Sequence, residues 1–340
     1  MKLALYALLV IVPSEICAQN ATTKNAPPFR AQLTSPATLQ IVSDAKINFP
    51  GFGPVECDAN GNIYARKDDG SLGREFMRAP VEKLRADGGT SGSFGLEGTG
   101  LDGHVEGFFV DSDGEVYLLA WAHAIDQAGY HLYVVKFGAG GSLESKIQLD
   151  LSNRVLAGLI AVFKSGEILI SGRDKFTPYT GVFASSGKLI KEIYEPEDEE
   201  LRIRAQKGDP DVLANSNFGN EAVERGGVVV GSDGNAYLMR HTSPALIYAI
   251  SSHGEVIRKL RINTDGLPQD IHSFAGGLVL WFTRSGGSPL RIVDLEGNPV
   301  ANYGFPSGFA GTLACYAPPS FTFFDTTSKD DEHLYTAQPK

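Results

Sequence analysis

Carboxylates and imidazoles stand just ahead of several apolar runs in the chain. Asp102, His104 and Glu106 precede Phe108-Phe109-Val110, and Glu221, Glu224 and Arg225 precede Val228-Val229-Val230. Asp270 and His272 precede Leu278-Val279-Leu280, and Arg154 precedes Ile160-Ala161-Val162. A His beside a carboxylate in a cleft can serve as general acid and base, or can hold a divalent metal. That makes His104, Glu106, Glu224 and His272 the candidate catalytic residues. Asp102, Arg154, Glu221, Arg225 and Asp270 are the candidate ligand-binding groups around them. A solvated, charged rim is the competing reading of the same residues. The signatures Gly-x-Ser-x-Gly, His-Glu-x-x-His and Gly-x-x-x-x-Gly-Lys-Ser/Thr are absent, which removes the usual serine hydrolase, zinc protease and P-loop readings.

The elements that must position these groups follow from a repeat. An apolar run, a turn of the form Asp-x-Asp/Asn-Gly and an alternating strand with Tyr recur at Val55–Tyr64, Phe108–Tyr117 and Val228–Tyr237. Weaker copies lie at Ile160–Leu169 and Ala275–Leu280, and a stretched one runs from Phe323-Phe324-Asp325 to His333-Leu334-Tyr335. Each copy but the last is followed by a second hairpin pattern, so one repeat holds four strands. Gly61, Gly114, Gly166, Gly234 and Gly277 stand 53, 52, 68 and 43 residues apart, near the roughly 40 to 50 residues of a four-stranded propeller blade. Gly is 39 of 340 residues, which suits a turn-rich chain. The expected fold is all-β: a six-bladed β-propeller with four antiparallel strands per blade, residues 33–340 forming one domain. The last copy lacks an outer hairpin, so N-terminal strands within Leu33 to Phe49 are expected to close the last blade.

This pattern of Asp-x-Asp/Asn-Gly-Asn/Glu-x-Tyr after an apolar strand resembles the NHL-repeat type of six-bladed propeller, and the resemblance covers nearly the whole mature chain. It implies a scaffold that carries lactonases, lyases and binding modules alike. Gly53-Pro54 is similar to the Glu-Gly-Pro of gluconolactonase propellers, where the Glu ligates metal, but Phe52 stands at the Glu position. An apolar ring cannot ligate a hard cation. His104-Val105-Glu106-Gly107 matches the His-x-x-Gly of streptogramin-lyase propellers in one blade. With no complete catalytic constellation, the expected function is a ligand- or protein-binding module with its site at the channel face. The alternative is a metal-assisted lyase or lactone hydrolase at the channel mouth, for which a divalent metal would be the cofactor. The turns also look like the start of a calcium loop, but the Glu that would complete one does not recur at the needed spacing.

Charge and leader bound the setting. Lys and Arg number 30 against 40 Asp and Glu, a net charge of −10, and a nucleic-acid backbone would be repelled. Residues 1–18 have Lys2, the apolar run Leu3 to Val12, Pro13 and Ala18, the layout of a secretory signal peptide. The mature protein is expected to be secreted or periplasmic, with a flexible segment at 19–32 and no transmembrane segment. A long loop at 194–225, acidic at Glu195 to Glu200, is expected on the face that carries His104, overhanging the channel mouth. Cys57 and Cys315 could bridge or remain thiols. Counted along strands from their turns, they lie more than about 20 Å apart, which disfavours a bridge unless Leu313 to Tyr316 is itself an inner strand.

Overall fold

The repeated turns form because Asp side chains stand in for backbone partners. In a computed structural model of the chain, Asp58 Oδ1 accepts the amide N–H groups of Asn60 and Asn62 at 2.9 and 3.0 Å. Its Oδ2 accepts the Asn62 side-chain amide at 2.7 Å and the Tyr64 hydroxyl at 3.0 Å. Asp111 repeats the backbone part, accepting from Asp113 and Glu115. Gly61 and Gly114 supply φ values of 76° and 82°, which L-residues resist. The oxygens that resemble a calcium loop are therefore engaged by their own turns. Asp58→Ala would orphan two amides and leave the buried Tyr64 hydroxyl only a long contact of 3.5 Å to the Gly114 carbonyl. We expect it to cost about 1–3 kcal/mol, read as a lowered thermal midpoint; an unchanged midpoint would show that the turn does not depend on this cap.

The structure describes residues 36–47, 51–67, 78–85, 88–125, 128–151, 155–175, 177–212, 223, 226–263, 266–282, 290–305, 311–325 and 332–340, with only the backbone at 51–54 and 67. The expected signal peptide at 1–18 and the segment 19–32 lie outside these residues. So do Arg154, Glu221, Glu224 and Arg225.

Strand β1 (Ala37–Ile47) precedes a series of antiparallel meanders. The first is β2 (Gly51–Cys57), β3 (Ile63–Lys67), β4 (Val81–Leu84) and β5 (Thr90–Phe94). The second is β6 (Leu101–Val110), β7 (Val116–Ala124), β8 (His131–Phe137) and β9 (Leu143–Gln148). The third is β10 (Val155–Val162), β11 (Ile168–Asp174), β12 (Thr177–Phe183) and β13 (Leu189–Ile193). Helix α1 (Pro196–Gln206) follows, then β14 (Gly226–Val230), β15 (Ala236–Arg240), β16 (Ala245–Ile250) and β17 (Val256–Ile262). The fifth meander is β18 (Pro268–Phe274), β19 (Gly277–Phe282), β20 (Leu290–Val293) and β21 (Pro299–Gly304). The chain ends with β22 (Thr312–Ala317), β23 (Ser320–Asp325) and β24 (Glu332–Pro339).

First strands touch in a closed cycle: β2 with β6, β6 with β10, β10 with β14, β14 with β18, β18 with β22, and β22 with β2. This is a propeller arrangement around a central channel. Hydrogen bonding gives four separate four-stranded sheets and one eight-stranded sheet rather than separate blades throughout. The fusion has a local cause. β1 pairs antiparallel with β24 from Leu39↔Pro339 to Ile47↔Glu332, and its first residues also pair in parallel with β21 at Ala37↔Tyr303 and Thr38↔Gly304.

The last meander corrects the sequence reading by one strand. Phe323-Phe324-Asp325 belongs to the second strand, β23, while Leu313 to Tyr316 lies in the first, β22. The turn between them is Pro318-Pro319, which lacks the Asp-x-Asn-Gly signature. Because the chain supplies three strands there, a single N-terminal strand, β1, completes the set. The same shift brings the cysteines together: Cys57 and Cys315 form a disulfide with Cα atoms 5.6 Å apart, joining β2 to β22.

Middle strands read as continuous apolar runs because both faces are covered by neighbouring sheets. Every residue of β15, β16, β19 and β20 is buried, whereas the outer strand β17 alternates. The acidic run at 195–200 is mostly helix. Pro196 opens α1 and Glu197, Asp198 and Glu199 fill its first turn, where helix geometry and dipole favour them. Asp198 is buried against Arg240 of β15, and Lys259 of β17 holds Glu195 and Glu197. The acidic residues of α1 and its cap thus tie the helix to the fourth meander.

Candidate functional site

Strand starts and second-strand ends meet at one face of the channel, and a cavity of about 690 Å3 opens there between the second and third meanders. Its floor comes from a close approach of β6 and β10. A Cβ on Gly107 would lie 2.1 Å from the Gly158 carbonyl oxygen, so only glycine allows this contact. A register shift between Val105 and Gly107 marks a bulge at Glu106, and His104 lies two residues away on the same strand. His104 Nε2 and Glu106 Oε1 are 2.8 Å apart. The Arg66 guanidinium is pulled down to about 10 by burial, with the Glu106 charge opposing that shift. Glu106 therefore contacts an imidazole and shares its electrostatic surroundings with a buried cation.

Aromatic and basic groups complete the lining. Trp121 and Tyr130 stack with ring centroids 6.2 Å apart and planes inclined by 17°, and Arg173 and Arg78 border the same cavity. Asp102 stands at the edge, where its Oδ1 is 3.7 Å from Arg78 Nη2 and both side chains are exposed. The pair His104 and Glu106 can exchange a proton with a bound molecule, the arginines can hold an anionic group, and the stacked rings can hold a flat one.

Asp270 and His272 belong elsewhere. His272 lines a separate cavity at the opposite, turn end of the channel, with Nε2 3.7 Å from Asp270 Oδ2. Burial pushes the Asp270 carboxyl above its ordinary value, against the opposing influence of His272. The structure therefore joins His104 with Glu106, and His272 with Asp270, but does not gather all four at one rim. Among the described residues no group of three or more His, Cys, Asp or Glu side chains is arranged to hold a metal ion.

Sequence reasoning missed Arg66, Arg173, Tyr130 and Glu56. A signal existed for two of them: Arg66 and Arg173 fall at or near the ends of second strands, where apolar alternation gives way to polar residues. Trp121 and Trp281, both at second strands, differ in what they meet. Trp281 does pack, 5% exposed and against Phe323, whereas Trp121 reaches a cavity.

No protein-family model matches the chain, and no curated protein sequence matches it either. Solved structures do. A catalytically inactive virginiamycin B lyase from Staphylococcus aureus, with quinupristin, is 13% identical at TM-score 0.50, covering 89% of this chain and 100% of that one. A calcium-binding protein, regucalcin, from Agrobacterium tumefaciens is 11% identical at TM-score 0.51, covering 91% and 97%. An exported-protein candidate from Bacteroides fragilis is 11% identical at TM-score 0.50, covering 91% and 98%. At such identities the likeness carries the fold, which agrees with the cycle of first strands: the chain is an all-β propeller of the architecture shared by lyase and regucalcin propellers.

Proposed function

We propose that the chain is an exported propeller that binds a small cyclic ligand bearing an anionic group in the cavity between its second and third meanders. The observation that carries this reading is the convergence of Arg173, the stacked Trp121 and Tyr130, and the His104–Glu106 pair on one cavity of about 690 Å3. That size falls in the range of about 300–1,000 Å3 common for small-molecule sites. Export rests on the leader-like residues 1–18 and on the disulfide, a bond that persists in oxidising compartments. Among the described residues no helix is long and apolar enough to cross a membrane.

Intrinsic tryptophan fluorescence tests the site with glucuronate and 4-hydroxybenzoate as probes. Saturable quenching is expected with at least one of them. Trp121→Ala should abolish the signal, and Arg173→Gln should weaken binding by about tenfold, as loss of one charge-assisted contact does. Absence of saturable binding for both probes, or equal binding by Arg173→Gln measured calorimetrically, would sink the proposal.

A second reading, a lyase or lactone hydrolase, is favoured by the 2.8 Å contact between His104 and Glu106, a proton-transfer pair at a cavity wall. Turnover of glucono-1,5-lactone would support it if His104→Ala lowered kcat by about 100-fold or more. Analysis of the purified protein for a stoichiometric divalent ion, lost in His104→Ala, would bring a metal to the same site.

A further inference from the structure

The turn end of the channel forms a second cavity, about 510 Å3, to which every meander contributes its first turn or the strand end beside it. Its wall is apolar, built from Phe109, Val162, Val229, Phe274 and Tyr316 together with the Cys57–Cys315 bridge. Its polar lining includes Glu56 and His272, together with Asp58, Asp111, Lys164 and three serines. His272 is only 6% exposed, and its Nε2 has no hydrogen-bond partner among the described residues. Glu56 touches the cavity and is otherwise surrounded by protein; burial first, and the charge of Asp270 second, hold its carboxyl well above the ordinary carboxylate range.

These groups select a ligand by charge. Glu56 and Asp270 face one another electrostatically, and among the described residues neither forms an ion pair with a Lys or Arg side chain. Buried carboxyls in that position favour an incoming cation, which relieves their desolvation and mutual repulsion. An anionic ligand would add a like charge beside them. Of the other charged lining residues, Asp58 has Lys83 at 3.6 Å, and Asp111 and Lys164 carry opposite signs, so Glu56 and neighbouring Asp270 decide the preference. The aromatic and branched wall then requires an apolar body behind the cationic head.

We propose that the turn end of the channel binds an apolar primary amine, its ring or chain against Phe109, Val229 and Phe274 and its ammonium donating to Glu56 and His272. This site shares no residue with the cavity of His104 and Arg173. It therefore stands or falls independently of the anion-binding reading.

Calorimetric titration of the full chain with phenethylamine, and with 3-phenylpropanoate as its acidic counterpart, tests the assignment. One amine should bind per chain, with the acid weaker by about tenfold or more. Glu56→Gln should weaken the amine by a similar factor. Ala275→Trp, at an exposed turn residue that borders the cavity, should abolish binding while circular dichroism stays that of the parent. If that variant does not fold, Ala59→Trp, at the exposed turn of the first meander that also borders the cavity, serves the same purpose. Trp121→Ala should leave the amine affinity unchanged. No saturable amine binding, equal binding of the acid, or amine binding that survives a folded occluding variant would overturn the proposal.

Discussion

Replacing Asp198 with Ala is expected to lower stability by about 3–5 kcal/mol, the usual cost of removing one partner of a buried ion pair. Arg240 is 1% exposed and Asp198 5%, so the remaining guanidinium would stay buried with no counter-charge. Each N–H direction of that guanidinium is used. Nε donates to Asp198 Oδ1 at 2.9 Å and Nη2 to Asp198 Oδ2 at 2.6 Å. Nη1 donates to Ser171 Oγ and the Val223 carbonyl, each at 3.0 Å, and Nη2 also reaches Thr180 Oγ1 at 3.2 Å. Tyr248 donates its hydroxyl to Asp198 Oδ1 at 2.9 Å. Burial alone would pull the Arg240 guanidinium down, but the charge and hydrogen bonds of Asp198 outweigh it and hold the group above its ordinary value.

The network spans α1, β11, β12, β15 and β16, so its loss should loosen the helix as well as the seam between the third and fourth meanders. Thermal unfolding should show a midpoint lower by about 5–15 °C, and limited proteolysis should cut first within 196–212. The double variant Asp198→Leu with Arg240→Met should recover much of the loss, because it removes both charges from the interior. A single variant as stable as the parent would mean that water or another group compensates the charge, and the helix would need a different anchor.

Much of the architecture was legible because its causes are local. Asp58 and Asp111 cap turns within four residues of themselves, and Gly61 and Gly114 mark the positive φ each turn needs, so hairpins could be read from spacing alone. What failed was local information of the wrong kind. Pro318-Pro319 makes its turn without the Asp-Gly signature, so the repeat puts Phe323-Phe324-Asp325 in a first strand and sets Cys315 too far from Cys57. The acidic run at 195–200 reads as part of a long loop over the channel mouth, although Pro196 followed by three acids is also a helix start. Nothing near Asp198 announces Arg240, 42 residues on; the pairing depends on how two sheets stack. The candidate site divides in the same way. His104 and Glu106 are neighbours on one strand, and their pairing was readable. That His272 points to the other end of the channel depends on where along β18 it falls, which the repeat did not resolve.

Loss of the Cys57–Cys315 bridge is expected to cost about 2–5 kcal/mol, toward the upper end because the loop it closes is long. The two residues are 258 positions apart in sequence, and almost the whole ring lies between them. The bond joins β2 and β22, the first strands of the first and last meanders, which meet where the cycle of first strands closes. Two other devices hold the same seam. β1 lies along β24, and Ile47, Val55, Ala314, Phe324 and Leu334 share one buried apolar cluster. The fold should therefore survive reduction but open first at this place. Cys57→Ala, Cys315→Ala and the double variant should be destabilised alike, because each removes the same single bond. Hydrogen exchange should quicken in β1, β2 and β22 to β24 while the second to fourth meanders keep their protection. Thiol titration of the denatured mature protein should find no free thiol before reduction and two after it; a retained leader would add Cys17 to both counts. Equal counts before and after reduction would exclude the bridge, and the closure of the ring would then rest on β1 and the apolar seam alone.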